Sequence, residues 1–378
     1  MDFTALLKLM VHKRASDLFL TANMPPTLKV DGKLAPIIPH ELTGEQVREV
    51  IYSIMSTEQR AEFERTRECN FAVSASNTGR FRINVFQQRN QIGMVARRIE
   101  TRIPTIDELG IPPILKEIIM AKRGLIIIAG GTGTGKSSSL AAMIGYRNQN
   151  SSGHIITIED PIEFIHQHSG CIITQREVGV DTTSYEMALQ NTLRQAPDVI
   201  LIGEIRSRET MDHAISFAET GHLCLSTLHA NNANQAMDRI INFFSEDRRQ
   251  QLLLDMSLNL RAIIAQRLIP RRDGQGRQAA VEVLINSPVV ADLLLKGDIP
   301  SIKDVMRRSN NEGMQTFDQA IYQLYASEVI SESEALHYAD SLNEVRTMIK
   351  RGKDVKMANQ EEANFRPMDT MSRMASNR

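Results

Sequence analysis

The sequence predicts an α/β protein, and three observations carry that reading. Short apolar runs at Leu125–Ala129, His154–Ile158, Val199–Ile202 and Leu223–Leu228 alternate with helical stretches, the pattern of a mostly parallel sheet covered by helices. A glycine-rich turn stands between the first run and a helical stretch, Ser138–Tyr146. From about Ser287 the periodicity is helical only.

Ahead of this core the pattern is different. Phe3, Leu6, Leu7 and Met10 recur at helical spacing. Short strands are expected at Asp17–Leu20 and Thr27–Val30, with an Asp31-Gly32 turn, then one helix from about Thr43 to Arg65 with Thr43 as N-cap. Along Gly79–Phe86, Phe81, Ile83 and Val85 alternate with Arg80, Arg82 and Asn84, as in a half-buried strand. Residues 1–100 therefore read as a small α+β domain and the proline-rich residues 101–113 as a linker. Residues 114–286 form the α/β core and 287–352 a helical region, with a capping box from Ser331 to Glu334. The polar residues 353–378 show no periodicity and are expected to be disordered.

Composition narrows the function classes. The chain's 378 residues suffice for two domains, and 42% hydrophobic with 24% charged residues fits a soluble globular protein. A formal net charge of −1 gives no basic field, so nucleic acid is not an expected partner. Cys69, Cys171 and Cys224 are too widely spaced for a zinc ribbon or a disulfide framework, which fits a reducing, cytoplasmic compartment. No stretch approaches the ~20 apolar residues of a transmembrane helix. The apolar N-terminal residues precede the cationic trio His12-Lys13-Arg14, the reverse of a secretory signal. Any membrane contact is expected through a partner or a surface.

The sharpest motif is Gly130-Gly131-Thr132-Gly133-Thr134-Gly135-Lys136-Ser137, a full G-x-x-x-x-G-K-[ST] match between a strand and a helix. Glycines let the backbone close around phosphate oxygens, and the following helix N-terminus, with Ser138, points N–H groups at the anion. Lys136 is the candidate to neutralise the β/γ-phosphates of ATP, and Ser137 to offer a hydroxyl to Mg²⁺.

Hydrolysis also needs carboxylates. Asp198-Val-Ile-Leu-Ile-Gly203-Glu204 supplies two, about 20 Å apart at ~3.3 Å per residue. Ligands of parallel sheets bind at the carboxyl ends of strands, so Glu204 is the Mg²⁺ carboxylate candidate and Asp198 belongs to the other edge. A second cluster, Glu159-Asp160-Pro161-Ile162-Glu163, also ends a strand. Glu163 is the candidate general base there, with Glu159 and Asp160 as supports. His229 ends the strand Leu223–Leu228, Thr227 beside it is a candidate reporter on the γ-phosphate, and His222 lies at the strand's opposite end. Arg80 and Arg82 share one strand face and are arginine-finger candidates, with Arg97, Arg98, Arg194, Arg206 and Arg239 as rivals.

Taken in order, the phosphate loop, the box Ile158–Glu163, the run ending Ile202-Gly203-Glu204 and the segment Thr220-Gly-His through Ser226-Thr-Leu-His229 resemble the secretion and pilus ATPase superfamily, and most closely its PilT/PilU retraction ATPases. The resemblance reaches Ala15-Ser-Asp-Leu18 and Gly313-Met-Gln-Thr-Phe-Asp318, and so spans nearly the whole chain to about residue 350. It implies a PAS-like N-terminal domain, a RecA-like ATPase core, a homohexamer, and ATP with Mg²⁺ between the domains. It also implies a cytoplasmic motor at the inner-membrane face, coupled to a PilC-type platform protein. Carried over residue by residue, it makes Lys136 and Ser137 ligands of ATP and Mg²⁺, Glu204 the Mg²⁺ carboxylate and Glu163 the water-activating group, with His222 and His229 in the histidine box. Assembly-type relatives carry a tetracysteine zinc insert that this chain lacks. The retraction motor's Ala-Ile-Arg-Asn-Leu-Ile-Arg-Glu motif is replaced by Val289-Val-Ala-Asp-Leu-Leu-Leu-Lys296. That departure resembles the accessory, PilU-type branch, and implies work beside a PilT-type ATPase. A docking or regulatory subunit, and a related secretion or DNA-uptake ATPase, are the alternatives.

Overall fold

The computed structural model describes residues 2–30, 32–75, 78–99 and 102–364. The chain divides into two compact units: residues 1–105 with 140–226, and residues 106–139 with 227–378.

Among the described residues, the N-terminal part of the first unit holds six strands: β1 (Asp17–Leu20), β2 (Thr27–Val30), β3 (Lys33–Pro36), β4 (Glu68–Ala75), β5 (Gly79–Gln88) and β6 (Gln91–Arg98). They pair antiparallel in the order β3-β2-β1-β6-β5-β4. The alternation along β5 sends Phe81, Ile83 and Val85 into a core with Leu7, Met10, Val47 and Ile51. The single helix expected from Thr43 to Arg65 is instead two, Gly44–Ile54 and Thr57–Thr66. Ser56 accepts from the Gln59 N–H while the Gln59 side chain reaches back, a capping box that starts a new helix. Thr43 caps the first helix in the same way with Gln46. Asp31 of the expected turn lies outside the described residues.

The remaining strands are β7 (Gly124–Ala129), β8 (Gly153–Glu159), β9 (Cys171–Glu177), β10 (Val199–Ile202), β11 (Leu223–Leu228), β12 (Leu260–Pro270) and β13 (Arg277–Ile285). In the first unit β11, β10, β8 and β9 lie side by side in that order, all parallel. In the second unit β7 pairs parallel with β12, and β12 pairs antiparallel with β13. β7 and β10 are apolar and wholly buried, as strands covered on both faces must be.

After β13 the chain is helical: Pro288–Lys296, Ile299–Arg308, Phe317–Ala326, Glu332–Tyr338 and Leu342–Asn364. Ser331 caps the fourth, accepting from the Glu334 N–H at 3.2 Å. The polar stretch expected to be disordered from Lys353 continues as helix to Asn364. Between those residues there is no Gly or Pro to stop it, and Lys, Met, Ala, Gln and Glu favour helix. Residues 365–378 lie outside the described residues.

Candidate nucleotide-binding site

The phosphate-binding loop belongs to the second unit. It leaves buried β7 and enters the helix Lys136–Asn150. Gly133 and Gly135 adopt φ of +74° and +88°, the left-handed region that glycine tolerates best. At Gly135 a Cβ would also stand 2.7 Å from the Gln266 side-chain nitrogen. Lys136 Nζ donates to the Gly130 and Gly131 carbonyls at 2.9 and 2.7 Å, and the Thr134 hydroxyl donates to Gly131 at 2.9 Å. The first glycine is tied to β11, with the Gly130 N–H donating to the Leu228 carbonyl at 3.2 Å. Ser137 and Ser138 stand in the first turn of the helix, where N–H groups lack intrahelical partners.

Gln266 on β12 is a functional candidate missed in the sequence. Its side chain is buried, accepts from the Ser139 hydroxyl at 2.6 Å and donates to the Thr134 carbonyl at 2.9 Å. The signal was a lone amide in the apolar run Ala262–Ile269, since a buried polar group needs partners.

The carboxylates belong to the first unit. β8 and β10 are parallel neighbours in register, Ile158 opposite Ile202, and the Gly203 N–H donates to the Ile158 carbonyl at 2.8 Å. Glu159 and Glu204 therefore leave the sheet at the same edge. A Cβ on Gly203 would stand 2.7 Å from the Tyr185 hydroxyl, so that ring packs against the turn before Glu204. Asp198 sits at the other end of β10, accepting from the His154 N–H at 2.7 Å.

Charge is concentrated at this edge. Arg206 Nε donates to Glu204 at 2.8 Å, and its Nη1 lies 4.0 Å from Asp160. The hydrogen bond to Glu204 holds the Arg206 guanidinium above its usual range. Burial pushes the Glu159 carboxyl up to about 7, against hydrogen bonds from Thr157 and Gln175 at 2.6 and 3.3 Å. Glu163 is exposed. Its charge lies near enough to raise Glu159 further.

Of the arginine candidates, Arg80 and Arg82 face this acidic edge. Arg80 lies 4.0 Å from Glu177, with its Nε buried and without a hydrogen-bond partner. Arg82 lines a cleft of about 500 Å³ with Asp160, Glu177, Glu68 and Cys69. Burial lowers the Arg82 guanidinium, which Glu177 partly offsets. Arg194 donates to Asn191 at 3.4 Å, on the exposed turn after the helix Tyr185–Thr192. In the second unit Arg239 donates to the His229 carbonyl at 2.9 Å, at the end of β11. His222 lies before β11, where its Nδ1 meets the Thr220 hydroxyl and the Phe217 carbonyl at 3.1 and 3.3 Å. That arrangement closes the helix Arg208–Glu219 and separates His222 from the strand end that carries His229.

The profile of the type II/IV secretion system protein family matches residues 2–365. The chain is 61% identical over 354 residues to the type IV pilus ATPase PilU of Pseudomonas aeruginosa, covering 94% of this chain and 93% of that protein. It is 39% identical over 335 residues to the PilT retraction ATPase of the same organism, covering 89% and 97%. A crystal structure of the pilus retraction motor PilT with bound ADP superposes with a TM-score of 0.86 at 37% identity, over 92% of this chain and 99% of that one.

Proposed function

The chain belongs to the type II/IV secretion system protein family, and from that premise we propose that it is an ATP-hydrolysing motor that assists type IV pilus retraction beside a PilT-type ATPase. The observation that carries this reading is the 61% identity, over 94% of the chain, to a type IV pilus ATPase. The complete phosphate loop Gly130–Ser137, set between a buried strand and a helix, agrees with it.

In this reading Gly131, Thr132, Gly133, Thr134, Gly135, Lys136, Ser137 and Ser138 cradle the phosphates of ATP. Lys136 turns from the loop carbonyls it now meets to the β/γ-phosphates. Ser137 and Glu204 hold Mg²⁺, which supplies neutralising charge on the phosphates. Among the described residues no group of three His, Cys, Asp or Glu side chains is arranged to hold a metal alone. A hydroxyl and a carboxylate, completed by phosphate and water, is an ordinary Mg²⁺ donor set. Glu163 takes the proton of the attacking water, with Glu159 and Asp160 supporting it. In this reading Arg206, which donates to Glu204 at 2.8 Å, gives up that carboxylate when a cation competes for it. His229 orients groups at the end of β11.

The working assembly is a homohexamer at the cytoplasmic face of the inner membrane, engaging a PilC-type platform protein. Among the described residues no helix is long and apolar enough to cross a membrane, so docking falls to the surface. A docking role beside the motor role is favoured by the helix Pro288–Lys296, which exposes Val289 and Leu295. The test is deletion of the gene with pilus counting and force measurement. Pili should still assemble and retract poorly under load; loss of assembly would count against the proposal.

A further inference from the structure

Two successive residues of β12 grip different parts of the second unit. Strand side chains alternate between faces. Gln266 holds the phosphate-binding loop through Thr134 and Ser139. Arg267, on the other face, donates to the Tyr338 carbonyl at 2.8 Å and the Asn231 carbonyl at 3.1 Å, pairs with Asp340, and lies 4.1 Å over the Phe317 ring.

Asp340 is the second hub. It stands between the helices Glu332–Tyr338 and Leu342–Asn364. It accepts from Lys303 at 3.1 Å and from the Asn232 side chain at 3.3 Å. Its own N–H donates to fully buried Asp318 at 2.8 Å. Burial alone would raise its carboxyl, but Arg267 and Lys303 more than reverse this and hold it below the ordinary carboxylate range.

The loop between β11 and the helix Ala233–Asn242 is held at both ends. Leu228 accepts from the Gly130 N–H of the phosphate loop at 3.2 Å. Asn231 and Asn232 are held by Arg267 and Asp340, and the Ala233 N–H by buried Glu282 at 2.7 Å. The side chains of Arg267 and Asp340 are only 20% and 11% exposed, so the pair is shielded enough from water for its loss to be felt.

We infer that the Arg267–Asp340 pair is a positioning device that couples the nucleotide-binding loop to the C-terminal helices through β12 and the loop 229–232. This goes beyond the phosphate contacts and rests on the nucleotide-binding reading of that loop. Coupling of this kind is reciprocal: what nucleotide does to the helices, the helices do to nucleotide.

The test is hydrogen exchange of the full-length protein, with and without Mg²⁺ and ADP, alongside steady-state ATP turnover. In the wild type nucleotide should slow exchange across residues 336–342 by about 5-fold or more. In Asp340→Asn that response should vanish, with kcat down roughly 10-fold and KM for ATP within about 2-fold. A merely structural pair would leave the nucleotide response of 336–342 intact. No response in the wild type, or a response that survives in Asp340→Asn, overturns the proposal. Asn232→Ser, which keeps a side-chain oxygen to cap the helix Ala233–Asn242 and removes the amide that donates to Asp340, replaces Asp340→Asn if that variant does not fold, with the same two outcomes. Wild-type protein that binds ADP yet turns over no ATP would sink the motor reading alone, because the exchange response still decides the coupling.

Discussion

The side chain of Gln266 donates to the Thr134 carbonyl at 2.9 Å, which fastens the phosphate-binding loop to the middle of β12. The other end of the same amide accepts from the Ser139 hydroxyl at 2.6 Å, so one side chain brackets the loop and the first turn of its helix. The loop is thus shaped by a residue distant in sequence as well as by its own glycines.

Gln266→Leu should therefore weaken nucleotide binding. The change leaves the Ser139 hydroxyl and the Thr134 carbonyl without their partner, at a cost of about 1–3 kcal/mol. If half of that falls on the loop's binding geometry, affinity drops on the order of 5-fold. Titration with a fluorescent ADP analogue checks this. Unchanged affinity would show that the bracket serves packing alone.

Lys136→Ala should reduce ATP turnover at least ~100-fold, because charge neutralisation at the phosphates carries most of this chemistry. The thermal midpoint should move little, since the Lys136 Nζ contacts to the Gly130 and Gly131 carbonyls lie within the loop itself. Phosphate release and a melting curve on the same preparation separate the two effects. Turnover equal to wild type would refute the assignment.

Glu204→Gln and Asp198→Asn should part company. The two residues flank the same strand at opposite ends, Glu204 beside Arg206 and Asp198 on the His154 N–H. The first variant should lose ~100-fold in kcat while keeping its fold. The second should keep kcat within about 3-fold and lose about 1 kcal/mol of stability. The opposite pattern would move the Mg²⁺ carboxylate to Asp198.

The legible parts of the fold were those in which one physical signal dominates. The apolar runs at β7, β10 and β11 are buried on both faces, so burial and hydropathy agree. The alternation at Phe81, Ile83 and Val85 marked β5 for the same reason. β12 and β13 were missed because Gln266, Arg267 and Glu282 interrupt otherwise apolar strands. Those interruptions are the buried polar groups that hold the phosphate loop and the C-terminal helices. β9 hid behind Thr174, Gln175 and Arg176. The phosphate loop could be read because its spacing is local. The partners of Arg267 could not, since Asp340 is 73 residues away and only the fold brings it near.

Buried Glu282 makes stability depend on pH with a definite sign. Burial, reinforced by Asp340, raises its carboxyl from 4.5 to about 7, against hydrogen bonds from Ala233 and Phe317. Between these values the folded chain holds a proton that the unfolded chain has released. Stability from this group is therefore fully present below about 4.5 and is lost as pH rises through about 7. Glu159, raised to about 7 by burial, acts in the same direction. His166 acts in the opposite one, because burial lowers its ring from 6.5 to about 4 and folding gains as pH rises between them. The whole-protein curve mixes these three, so the clean observable is the difference between wild type and Glu282→Gln. The variant cannot titrate at this position. Relative to wild type it should gain on the order of 2 kcal/mol between pH 4.5 and 7.5, roughly 2–4 °C in thermal midpoint. A difference that stays flat across that window, or shrinks as pH rises, would mean that Glu282 is already ionised in the folded chain and that its two backbone donors outweigh its burial.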